Sequence, residues 1–205
     1  MEIFSLLIIF ALVFILVGFS LAFHEYAHGW MAHRLGDPTP KNAGRLNLNP
    51  LVHLDLFGTV ILPVLLFVMS KGSFIFGYAK PVPINPRYFK NPKKDIIWVS
   101  LAGPCANLIT ATSLALILKF DFAFLEIIKI VARINIMLAI LNLIPIPPLD
   151  GSKVLMSLMP NQLAHKYRKI EPYGIIIVFI LIRPIFEWII LPITYIIMTL
   201  LGITW

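Results

Sequence analysis

The stretch IFSLLIIFALVFILVGFSLAFHEYAH, residues 3–28, decides how the rest of the chain is read. Residues 3–23 form an uncharged, apolar run about as long as the ~20 residues that cross a bilayer as a helix. The run ends on His24-Glu25-Tyr26-Ala27-His28, a His-Glu-x-x-His pattern that marks zinc hydrolases when it lies on a helix. Ionisable side chains at the end of a membrane span are costly unless they share a function. Together the two features predict a zinc site built inside a membrane.

Composition supports that setting. Only 13% of the 205 residues are charged, against roughly 25% in a soluble domain, and the mean hydropathy is +0.89. A cleaved signal peptide is the competing reading of the first run, but it needs a basic start and a shorter apolar core, and only Met1 and Glu2 precede this one. The single cysteine, Cys105, excludes an intrachain disulfide framework and a thiolate zinc cluster, and reads as a small packed side chain. Any metal must therefore be held by histidine and carboxylate. The net charge of +7 does not point to nucleic acid, because no basic stripe with interleaved aromatics occurs. Lys and Arg instead flank apolar segments, as expected for cytoplasmic loops beside anionic lipid.

The first helix is predicted over residues 3–35, stopping at Gly36-Asp37-Pro38. Residues 44–49 alternate and predict a short strand ended by Pro50. Residues 54–69 are apolar but short for a span, with Gly58 and Pro63 inside them; residues 74–84 read as strand and turn. Further spans are predicted over 96–120, with Trp98 as an interfacial anchor, and over about 125–144, where Pro145, Pro147 and Pro148 end the helix. Residues 172–205 are almost wholly apolar, and Pro184 and Pro192 leave one pass or two open. The expected fold is an all-α polytopic membrane protein, one domain over residues 1–205, with about five to six transmembrane helices. A small re-entrant or β element is expected between the first and second clear spans.

His24 and His28 project from one helix face, and imidazoles so placed can bind one Zn²⁺. Glu25 lies beside that face, where its carboxylate can take a proton from a water. A third protein ligand must come from elsewhere. The candidates near membrane segments are His33, His53, Asp55, Asp121, Glu126, Asp150 and Glu187. Asp150 stands out because it follows a Pro-broken segment, and non-helical backbone at membrane depth is tolerated only inside protein or along a water-filled cavity. His33 reads as a solvated helix-end histidine, His53 as a turn residue, and Arg183 with Glu187 as a helix ion pair.

His24-Glu25-x-x-His28, followed by Asn142-x-x-Pro145-x-Pro147-Pro148-Leu149-Asp150-Gly151, resembles the site-2 protease family of intramembrane zinc metalloproteases. Gly103-Pro104-x-x-Asn107 is similar to a further element of that family. The resemblance covers roughly residues 1–160 and is specific as a set. It implies hydrolysis of peptide bonds in or beside transmembrane helices of membrane-protein substrates, with one zinc ion on His24, His28 and Asp150 and Glu25 as base. Asn142 and Asn107 would hydrogen-bond the substrate backbone or the developing oxyanion, and residues 74–78 offer a strand edge for an extended substrate. The length leaves no room for the PDZ or CBS domains of larger relatives, so a minimal core is expected. A polytopic metal transporter or an inactive membrane scaffold is the competing class, but neither explains a glutamate adjoining the two histidines. Homo-oligomerisation is left open.

One ion shared by two span ends requires both spans to run the same way, so residues 54–69 should not cross. With the N-terminus outside, residues 34–95 and 151–171 are cytoplasmic and hold 13 of the 17 Lys and Arg. That places the active site of a multi-pass cell-membrane protein nearer the cytoplasmic face.

Overall fold

In the computed structural model, residues 2–69, 71, 77–120 and 124–204 are described. Among them the chain is helical, with no strand. Three stretches are long and apolar enough to cross a membrane: Ala11–Arg34, Pro92–Ile117 and Asn161–Leu200.

Helix α1 runs Glu2–Arg34 and stops where expected. Gly36 adopts φ +106°, and the Asp37 and Gly36 N–H groups donate to the Ala32 and His33 carbonyls at 3.0 and 3.1 Å. This double closure needs a left-handed residue, which glycine adopts without strain. The buried Asp37 carboxylate then accepts the Thr39 and Asn85 N–H groups at 2.9 and 2.7 Å, tying the connection back onto the helix end.

The strand predicted over 44–49 is not formed. Its backbone groups are taken locally instead: the Arg45 N–H donates to the Pro40 carbonyl, the Asn49 N–H to Asn47 Oδ1 at 2.9 Å, and the Leu51 N–H to Asn49 Oδ1 at 3.0 Å. Asparagine side chains that mimic a turn compete with any ladder. Asp55 caps a π-helical turn, Leu56–Ile61, that continues into α2, Leu62–Met69. Residues 77–85 are non-helical, but the strand expected within 74–84 is not formed over the described residues 77–84, where the Tyr78 and Lys80 N–H groups donate singly to the Gly58 and His53 carbonyls. Residues 74–76 of the expected strand edge, and Asp121, lie outside the described residues.

Helix α3, Pro92–Ile117, opens with proline at its first position. Helix α4, Leu125–Leu143, stops before Pro145, whose ring disfavours helical backbone at the preceding residue. Both match the expected helices, and α3 is also one of the stretches long and apolar enough to cross a membrane. Cys105 is a correction: it is exposed, because the buried side of the helix is formed by Ser100, Gly103, Pro104, Ala106 and Asn107, of which Gly103 and Asn107 meet α1. Helices α5 (Asp150–Leu158) and α6 (Asn161–Arg168) follow. Helix α7 (Gly174–Ile185) joins α8 (Leu191–Leu200) through the π-helical turn Phe186–Ile190. The backbone stays helical from Gly174 to Leu200, so Pro184 and Pro192 loosen this helix without folding it back.

Helix α3 is sandwiched between α1 and α4. Ala111, Ala132, Ile136, Ile140, Val178 and Met198 centre the main apolar core, which joins α3 and α4 to the last helix. Asn135, fully buried on α4, donates to Ser20 Oγ of α1 at 2.9 Å. Phe19, Ile109, Leu116 and Phe179 face outward, an apolar exterior suited to lipid.

Candidate metal centre

One turn of α1 supplies three of the residues in question. His24 and His28 are both buried, and their Nε2 atoms lie 3.0 Å apart. From α5, Asp150 brings Oδ2 to 3.3 Å from His24 Nε2 and 3.0 Å from His28 Nε2. These three form the one histidine, cysteine and acidic cluster suited to a metal among the described residues.

Each ring is oriented from behind by α3. His24 Nδ1 donates to Asn107 Oδ1 at 2.6 Å, and His28 Nδ1 donates to the Val99 carbonyl at 2.7 Å. With their protons on Nδ1, both imidazoles aim Nε2 lone pairs at the Asp150 carboxylate. Three electron-pair donors so close repel one another unless they share a cation. Two imidazoles and one carboxylate also match the donor set of a catalytic zinc, which keeps a further position open. The residues present fit the ion.

Close approach depends on two glycines. A Cβ on Gly103 would stand 2.3 Å from His28 Nε2 and 2.6 Å from His24 Nε2, so only glycine lets α3 lie against the rings. A Cβ on Gly151 would stand 2.2 Å from the Leu143 carbonyl oxygen, so only glycine lets the α5 start abut the end of α4. Asp150 is fixed on its other side by Lys153, whose Nζ donates to Oδ1 at 2.9 Å.

Glu25 is half-buried beside the cluster, and its Oε2 accepts the Val82 N–H at 3.0 Å. Val82 is itself buried, and a Cβ on Gly29 would stand 3.1 Å from it. Asn142 is half-buried at the end of α4 and donates to the Leu138 carbonyl of its own helix at 3.0 Å. The other acids and histidines are occupied elsewhere. His33 is exposed, and buried His53 hydrogen-bonds the Asn47 carbonyl through Nε2 at 2.8 Å. Asp55 caps its turn, Glu126 pairs with Lys129, and Glu187 pairs with Arg183 as expected.

Four of these partners were missed from sequence. Lys153 was within reach, since it stands three residues after Asp150 on a helix. The link from Asn107 to His24 had only the membrane asparagine as its signal. The Val99 carbonyl and the Val82 N–H are main-chain groups and leave no mark in a sequence.

Residues 119–183 match the family described as Peptidase family M50. The chain is 34% identical over 186 residues to a Bacillus subtilis protein named "Putative zinc metalloprotease YwhC", covering 84% of this chain and 81% of that one. A Mycolicibacterium smegmatis protein named "Putative zinc metalloprotease Rip2" is 32% identical over 80% of this chain and 63% of its own length. Its Mycobacterium tuberculosis namesake is 34% identical over 64% of this chain and 51% of its own length. No solved structure matches. With a His-Glu-x-x-His helix, an aspartate brought to it from a second element, and a relative alike over most of both chains, this chain belongs to peptidase family M50, as a metalloprotease of the membrane.

Proposed function

We propose that the chain is an intramembrane zinc metalloprotease that hydrolyses peptide bonds within or beside transmembrane segments of other membrane proteins. The observation that carries this reading is the convergence of His24 Nε2, His28 Nε2 and Asp150 Oδ2 within 3.3 Å, next to Glu25, at the end of an apolar helix. His24, His28 and Asp150 would hold a single ion.

Zinc, when bound, supplies a Lewis acid that polarises a peptide carbonyl and acidifies a water toward a pKa of about 7. Glu25 would accept a proton from the attacking water and return it to the leaving amine. The Val82 N–H holds Glu25 Oε2, leaving Oε1 for the proton. Asn107 and Val99 keep both imidazoles in the tautomer that ligates, and Lys153 restricts Asp150 to a single ligating oxygen. Asn107, 1% exposed and bonded to His24, thereby acts as a positioning residue, whereas Asn142 remains the proposed donor to substrate backbone. The substrate helix must first unwind locally, since its carbonyls are otherwise closed by their own hydrogen bonds.

In this reading α1, α3, α4 and the helix from Gly174 to Leu200 cross the bilayer, four crossings rather than the five to six expected from sequence because the backbone does not fold back between Gly174 and Leu200, while Leu56–Met69 enters without crossing. Helices α1 and α4 then run the same way and end at the same depth. Residues 34–95 and 151–171, with 13 of the 17 Lys and Arg, lie on the cytoplasmic side, and the site sits nearer that face of the cell membrane. The test is to co-express the chain with a membrane-tethered reporter and compare wild type with Glu25→Gln. Cleavage that disappears in the variant supports the assignment, and equal cleavage by both overturns it.

A further inference from the structure

A cavity of about 260 Å³ opens beside α1, between Phe14, Gly18 and Leu21 on one wall and Pro50, Leu54 and Ala79 on the other. A cavity of about 150 Å³ already admits benzene, so this one has room for a leucine or phenylalanine side chain. Its place relative to the base is set by helix geometry. Phe14, Gly18, Leu21 and Glu25 recur at spacings of four, three and four, so they share one stripe of α1. At 1.5 Å per residue, Leu21 lies about 6 Å and Gly18 about 10 Å along the axis from Glu25. The far wall is continuous with the site as well, because Ala79 belongs to the same non-helical segment whose Val82 N–H holds Glu25.

Gly18 has no packing reason to be glycine. A Cβ there would meet only Pro50 Cβ, at 3.7 Å, an ordinary van der Waals contact, whereas the same atom on Gly29, Gly103 or Gly151 would come within 2.9, 2.3 or 2.2 Å of a neighbour. Glycine inside a helix is also less favourable than alanine. What the missing side chain leaves is open volume.

We infer that this cavity is a specificity subsite that receives an apolar side chain of the cleaved segment, and that Gly18 keeps it open. The inference rests on the hydrolytic reading above and adds the position and class of the residue recognised. An extended chain advances about 3.3 Å per residue, so a substrate laid along α1 past Glu25 presents to the cavity the residue two or three positions from the scissile bond.

The test uses the full chain, zinc-loaded, in liposomes with a membrane-tethered substrate. Each residue within three positions of the cleaved bond is set in turn to alanine, leucine or phenylalanine. Wild type should favour leucine over alanine by about tenfold in kcat/KM at one position two or three from the cut. Gly18→Leu should bring that ratio to about one at that position alone, and Leu21→Ala should raise the phenylalanine-to-leucine ratio there. In a Glu25→Gln background, a photoreactive leucine analogue at the same substrate position should cross-link to α1 near Gly18. Unchanged ratios in both variants, as for a cavity filled by a lipid acyl chain, overturn the subsite. Loss of all cleavage in Gly18→Leu with an unchanged ratio in Leu21→Ala overturns it too, as does absence of the cross-link. Undiminished cleavage by Glu25→Gln instead overturns the hydrolytic reading beneath it.

Discussion

Asn107 Oδ1 lies 2.6 Å from Nδ1 of His24, a contact between residues 83 positions apart in the sequence. Both side chains are buried, so no water competes for the bond. It selects the tautomer that frees Nε2 for a metal. Partners of this kind change metal affinity by about 10–100-fold when removed. Asn107→Leu is therefore expected to weaken zinc binding by about that factor while leaving the helical circular-dichroism spectrum intact, and Asn107→Asp, which keeps an acceptor, to restore most of it. Competition against a zinc chelator measures both.

Gly103→Ala should abolish activity and metal binding together. The added Cβ would fall 2.3 Å from His28 Nε2, and neither the ring nor the α3 backbone can yield without displacing a ligand. A misplacement of about 1 Å at a reacting centre lowers rates by about 100-fold. Exposed Cys105, two residues on, is the control: Cys105→Ser should retain wild-type turnover.

Val82→Pro removes the N–H that holds Glu25 Oε2. Pro81 and Pro83 already flank the site, so a third proline suits the local backbone. A hydrogen bond to a charged group contributes about 1.5–3 kcal/mol, which predicts a fall in kcat of about 10–100-fold with little change in KM. Val82→Ala keeps the donor and should lose far less. Steady-state kinetics on one substrate separates the two.

Asp150→Ala should lose stoichiometric zinc, since it removes the proposed third ligand. Lys153→Met should lower zinc affinity by less than about tenfold, because the lysine side chain is 46% exposed and its pairing is screened by solvent. Equal losses in the two variants, read by metal analysis after dialysis, would contradict this division of roles.

Stripping zinc should lower the thermal unfolding midpoint in detergent, and added zinc should restore it. A ligand present at about 1,000 times its Kd stabilises the folded state by about 4 kcal/mol. His24→Ala should show no response to a chelator. A shift of equal size in that variant would place the stabilising metal elsewhere.

The elements legible from sequence are those whose physics is local. Helix α1 and its stop at Gly36 could be read because an apolar run and a left-handed glycine act on their own neighbours. His24, Glu25 and His28 could be read because one helical turn brings such spacings together whatever surrounds them. Residues 44–49 were misread because alternation resembles a strand only when a partner exists, and here asparagine side chains take the backbone groups instead. Cys105 was misread because one helix face cannot be told from another until the neighbouring helix is placed.

The residue sequence by itself determined a membrane helix carrying a His-Glu-x-x-His turn and marked Asp150 as a plausible third donor. Only the tertiary structure decided that Asp150 Oδ2 stands 3.0 Å from His28 Nε2, and that Gly103 is what lets α3 press against both rings. It also decided that main-chain groups of Val99 and Val82 orient a histidine and the glutamate. The reason is that a peptide N–H or carbonyl is the same at every position in a chain, so which one meets a given side chain is set by how the helices pack.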